Sequence, residues 1–147
     1  MPNSIREQIL QAVISRLAPI AAAEGAQLLR SPPAGITREQ CPALLLFPES
    51  DTLVQRANDR VERQLVVRLV ALARETAGEI PEAIADRLLV AAHAALFTDV
   101  NLGGLCLGLQ ELGCEWDVED ADATAAAVPA RYQIDYRTLA ADLSAKG

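Results

Sequence analysis

Apolar residues near the start of the chain recur at helical spacing. Ile5, Ile9, Val13, Leu17 and Ile20 stand three or four residues apart, which predicts an amphipathic helix over about residues 4–23. Asn3 or Ser4 can cap it, and Glu7 follows Ser4 by three, as in a capping box. Pro19 is expected to bend or fray the last turn, and Gly25 to end the helix. Ala26 to Arg30 is short and apolar and reads as a strand. Ser31-Pro32-Pro33-Ala34-Gly35 is a loop. Cys41-Pro42 then leads into Ala43-Leu44-Leu45-Leu46-Phe47, closed by Pro48. An apolar run of this length without alternation predicts a strand covered on both faces.

The middle of the chain changes character twice. Glu49 to Arg60 is polar and carries no helical stripe, so it reads as an extended loop or a hairpin arm. Val61 to Ala73 is the longest strand signal. Val61, Leu65, Val67, Leu69 and Ala71 share one parity, against Glu62, Gln64, Arg68 and Leu72. Thr76-Ala77-Gly78 breaks it. Pro81 suits a first helical turn, and Ile84, Leu88, Leu89, Ala92, Ala95 and Leu96 form one stripe of a second helix ending near Phe97.

Beyond the turn Thr98–Gly104, Leu105, Leu107 and Leu109 alternate with Cys106, Gly108 and Gln110. After Gly113 the apolar parity moves to Cys114, Trp116 and Val118, which predicts a bulge or break near residues 110–113. Asp120 to Ala127 is polar and then alanine-rich, and reads as a helical turn. Ala130, Tyr132, Ile134 and Tyr136 alternate with Arg131, Gln133, Asp135 and Arg137 in the clearest strand of the chain. Residues 139–147 read as a flexible tail with weak helical character. The predicted order is α-β-β-β-α-β-β. Two helices cannot cover both faces of such a sheet, so the expectation is a single α+β domain. It has a mixed sheet of four to five strands and both main helices on one face. The other face is left exposed or used against partners.

Composition narrows the function. The 147 residues suit one domain, and 51% are hydrophobic, enough for a core. Only 3% are aromatic, so Leu, Val, Ile and Ala must build that core. The formal charge is −7, which disfavours general nucleic-acid binding. Leu88 to Phe97 is too short to span a membrane, and no secretory signal is visible at the start; a soluble protein made in the cytoplasm is expected. Cys41, Cys106 and Cys114 form neither a paired set nor a zinc motif.

Candidate chemistry is sparse. There is no phosphate loop, no GxSxG, no HExxH and no calcium loop. His93 is the one histidine, and helical spacing brings it near Glu82 and Asp86; a carboxylate beside it could make a general base. The ordinary alternative is a histidine at the boundary of the core. Glu111, Glu115, Asp117, Glu119, Asp120 and Asp122 form an acidic group. Three of them, Glu115, Asp117 and Glu119, line one outward face of a strand, which suits solvent or a partner better than a metal. Arg56, Arg60, Arg63 and Arg68 flank the long strand, either as a solvated face or as a charged surface for a complementary partner. No catalytic, cofactor or metal residues are assigned.

These patterns resemble the phage tail terminator (minor tail protein U-like) and tail-completion family. The likeness runs through the first helix, the strand Ala43–Phe47, the strand Arg60–Arg74, the second helix into Asp99-Val100-Asn101-Leu102-Gly103-Gly104, and the closing strand Tyr132–Thr138. The stretch Ala121–Ala130 does not align with the family. The resemblance implies a structural protein, not an enzyme, without cofactors. It implies a ring, commonly a hexamer, that caps the last tail-tube ring, stops tube growth and offers a surface to the head–tail connector protein. The expected partners are other copies of the chain, the tail tube protein and the connector. The expected places are the host cytoplasm during assembly and then the virion tail. Arg56, Arg60 and Arg63 are expected to meet Glu115, Asp117 and Glu119 of a neighbour. Two other readings are a neck protein that joins the head–tail connector, and a small ligand-binding domain or enzyme centred on His93 with Asp86.

Overall fold

The first helix begins where Ser4 accepts a hydrogen bond from the Glu7 amide (3.0 Å), satisfying one of the first-turn donors. Only this half of the expected capping box is used for capping, because the Glu7 carboxylate turns outward and grips the Arg30 guanidinium (2.5 and 2.7 Å). The helix, α1 (Ile5–Ala23), continues through Pro19 to its predicted end. It stops in a Schellman arrangement: Ala26 N–H donates to the Ala21 carbonyl and Gly25 N–H to that of Ala22. Gly25 takes φ +67°, a left-handed value that a side chain would strain.

The computed structural model describes residues 2–32, 38–76, 78–114 and 125–147. Five strands follow or flank the helices: β1 (Gln27–Arg30), β2 (Ala43–Ala57), β3 (Arg60–Arg74), β4 (Gly108–Cys114) and β5 (Ala125–Leu139). A short 3-10 turn at Arg38–Gln40 precedes β2, and α2 (Pro81–Leu96) lies between β3 and β4. The sheet order is β1-β2-β3-β5-β4. β1 runs parallel to β2, and every other pairing is antiparallel. The sheet is therefore mixed and the domain α+β, with the element order read from the sequence.

Both helices pack on one face. Leu65, Val67, Leu69, Ala71 and Ala73 of β3 join one buried cluster with Ile9, Val13 and Leu17 of α1 and Ala85, Leu88 and Leu96 of α2. β5 adds Val128, Ala130, Tyr132, Ile134 and Tyr136 to the same cluster. The opposite parity, including Phe47, Arg68, Val70 and Gln133, lies outside that cluster, and Arg68 sits over the Phe47 ring at 4.9 Å.

Several boundaries differ from the sequence reading. β2 does not stop at Pro48. It continues to Ala57, with register shifts at Pro48/Ser50 and Leu53/Gln55, and turns through Asn58-Asp59 into β3. Asn58 takes φ 59°, which asparagine tolerates. Of the two readings of Glu49–Arg60, the hairpin arm is the observed one. The expected break near residues 110–113 is present, as a register shift between Glu111 and Gly113. Leu105 and Leu107 are not in a strand; they close the turn before β4. That turn is folded by Asp99, whose carboxylate accepts from the Asn101 and Gly103 amides and from Arg16.

The alanine-rich segment is strand rather than helical turn from Ala125 onward, because Ala125–Pro129 pairs with Val70–Arg74. Ladder hydrogen bonds to β3 override the helical preference of alanine there. Leu139 ends β5, and residues 140–147 form turns and a bridge from Lys146 to Thr138, not a helix. Their backbone is bonded to the rest of the chain: Ala140 N–H to Asp59 (2.6 Å), and the Ile5 N–H to Leu143 (2.8 Å). The acidic residues Glu115, Asp117 and Glu119, with Trp116, lie outside the described residues.

Candidate functional site

Two surfaces stand out: the far half of β2 and a groove beside α2. The first follows from the mismatch of element lengths. β2 and β3 have 15 residues each and span about 50 Å. α1, with 19 residues, spans about 28 Å. β1 pairs β2 only from Ala43 to Leu46. From Pro48 on, the outer edge of β2 therefore has no strand beside it among the described residues. Leu53 (43% exposed) and Val54 (48%) stand open to solvent there, and Arg56 and Arg60 are exposed around the turn.

The predicted arginines separate in the structure. Arg56 and Arg60 form no ion pair with another described residue. Arg63 is drawn inward, its Nε donating to the Thr138 hydroxyl (3.1 Å). Near the arm's tip, Glu62 meets Arg137 at 3.8 Å beside a shallow depression of about 270 Å³. The arm is fixed to the body at Asp51. Its carboxylate is 9% exposed and accepts from Arg6 of α1 (3.0 Å) and from the buried Tyr136 hydroxyl of β5. Burial and the neighbouring Asp51 carboxylate push the Tyr136 phenol well above its ordinary range. The second carboxylate oxygen of Asp51 is buried without a partner.

The groove is about 440 Å³. Its floor is Ala130 and Tyr132 of β5, its outer rim is Glu111 and Cys114 of β4, and its wall is α2 from Asp86 to Ala94. His93 stands at its centre. Its Nδ1 lies 2.9 Å from the Tyr132 hydroxyl and 3.5 Å from a Glu111 carboxylate oxygen, and its ring stacks on Phe97 at 4.5 Å. The carboxylate beside His93 is thus Glu111 from the neighbouring strand, not Glu82 or Asp86 of its own helix, although Asp86 lines the same groove. Burial and the Glu111 charge push the Tyr132 phenol up to about 12. Tyr132 therefore stays protonated at neutral pH and can share its proton with His93.

The chemistry available is limited. Burial pushes the Cys106 thiol up to about 11, and raises that of Cys41 despite the nearby Arg74, so neither is poised as a thiolate. Among the described residues no three His, Cys, Asp or Glu side chains converge as metal ligands. No described helix is long and apolar enough to cross a membrane.

Comparison with known proteins gives a likeness of fold. No protein-family model and no curated protein sequence matches the chain. A chain of the solved virion of a native gene transfer agent particle has a similar fold, with a TM-score of 0.50 and 13% sequence identity. The match covers 84% of this chain and 90% of that one. At this identity the likeness is one of fold.

Proposed function

We propose that this chain is a structural protein of a phage-type virion and that it forms a closed ring capping the tail tube. The observation that carries the reading is the fold likeness, over most of both chains, to a component of a gene transfer agent virion. The open β2 edge and the separate α2 groove support it, because assembly proteins need two unlike surfaces. A heterologous contact between unlike surfaces closes into a ring when its rotation closes, and otherwise runs on as a filament. A cap needs the closed case.

On this reading the ring is a hexamer. One face binds the tail tube protein and ends its growth, and the other meets the head–tail connector protein. The protein acts first in the host cytoplasm and then within the tail, and it performs no catalysis. Arg56, Arg60 and Arg63 serve the contact between copies, as do the acidic residues Glu115, Asp117 and Glu119.

The test is tube growth. Purified tail tube protein is polymerised with and without this chain, and tube lengths are measured by electron microscopy. The expected result is shorter tubes bearing a terminal ring. Unchanged lengths with no bound ring would sink the proposal. Binding to the connector alone, without any effect on tubes, would assign the chain to the neck instead.

A further inference from the structure

The groove beside α2 and the open half of β2 match each other in shape and in charge. The groove is a trough between a helix and the last described strand of the sheet, a form that receives an extended segment. The arm is an extended segment whose outer edge has no strand beside it among the described residues. Apolar side chains are open on both sides: Leu53 and Val54 on the arm, and Val90 (63% exposed) beside the half-buried Leu89 at the groove. The segment Thr52–Arg56 carries one charge, the Arg56 cation, while Glu49 and Asp51 before it are held by Arg131 and by Arg6 with Tyr136; the groove is acidic through Asp86 and Glu111.

A chain cannot satisfy this match alone. β4 lies three strands from β2 in the sheet, about 14 Å across. The arm's turn is level with Leu139, while the groove floor is level with Ala130 and Tyr132, about 24 Å back along β5. The arm therefore points away from its own groove.

We propose that the arm Thr52–Arg56 of one copy lies in the His93 groove of the next. Leu53 and Val54 cover the apolar wall, and Arg56 meets Glu111 and Asp86. The inference rests on the ring reading and names its joint. It gives His93 a structural role: held by Tyr132 and Phe97, it shapes the trough wall.

Disulfide trapping tests the joint, because Cys114 already stands on the groove rim. Leu53→Cys and Val54→Cys variants of the full chain are oxidised over a range of concentrations and run without reductant. At least one should give a ladder of linked multimers, and Cys114→Ser should abolish it. A charge swap adds a second readout by light scattering. Arg56→Glu alone, or Glu111→Arg alone, should raise the concentration for half-assembly about tenfold, and the two together should restore it. No ladder from either variant, or a ladder that survives Cys114→Ser, overturns the joint. If the unmodified chain still forms rings in that case, the ring reading stands and only the joint fails. If it neither self-associates nor caps tubes, both fail.

Discussion

The two halves of β2 share one strand, one partner and one hydrogen-bond ladder, yet they differ in almost everything else. From Ala43 to Leu46 the side chains are buried, with β1 alongside and helices above. From Pro48 to Ala57 nearly every residue is exposed, although the pairing with β3 continues to Ala57. Strand pairing satisfies the backbone but does not bury side chains. Burial depends on what stacks on the faces, and α1 reaches only about half the length of β2. The exposed half also carries the devices that protect an edge: Pro48, two register shifts and charged residues. They keep the edge from pairing indiscriminately.

The contrast between the halves is sharpest in the core. Leu46 is 1% exposed, and Leu46→Ala should lower stability by about 2–5 kcal/mol, read from urea denaturation. A loss under about 1 kcal/mol would mean that the covered half is not core. At the border between the halves, Tyr136→Phe removes one of two donors to the buried Asp51 carboxylate, and should cost about 1.5–3 kcal/mol. A neutral result would show that the arm's root is not held there.

A smaller effect belongs to the covered end, where Glu7 of α1 grips Arg30 of β1. The hydrogen bonds and charge of Arg30 hold the Glu7 carboxyl below its ordinary value of 4.5. A lowered folded pKa contributes stability that is present above the unfolded value and is lost as pH falls through the folded one. The pair is partly exposed, so the contribution is at most about 1 kcal/mol. Glu7→Gln should flatten the melting temperature against pH on the acid side of 4.5, and leave the profile above neutrality parallel to the parent. The smallest effect is on the arm itself. Leu53→Ala and Val54→Ala should change unfolding by no more than about 0.5 kcal/mol. Their effect belongs in the concentration dependence of molar mass, where both should weaken assembly. A large loss of stability in either would make the arm part of the core and end the comparison.

What could be read in advance followed periodicity. The stripes of α1 and α2 and the alternation in β3 and the second half of β5 reflect one buried face each, and burial writes a period into the chain. The break near Gly113 was legible because apolar parity switched there. The far half of β2 left no such trace, since both its faces are exposed and no period is imposed. Ala125–Pro129 was hidden for another reason: alanine has little strand preference, and the partner that makes it a strand, Val70–Arg74, lies more than fifty residues away in sequence. His93 was singled out as the one histidine, but its carboxylate partner was sought on its own helix. Glu111 comes from β4, eighteen positions on.

The sequence alone determined the class of this protein: an acidic α+β domain with two amphipathic helices, an aliphatic core and no catalytic motif. Those properties are local or summed over the chain, so a linear reading recovers them. The tertiary structure decided the rest. It made Glu49–Arg60 an arm, drew Arg63 inward while leaving Arg56 and Arg60 outside, and set His93, Tyr132 and Glu111 around one groove. Each depends on distant segments meeting, and their register was chosen by the cooperative burial of the core.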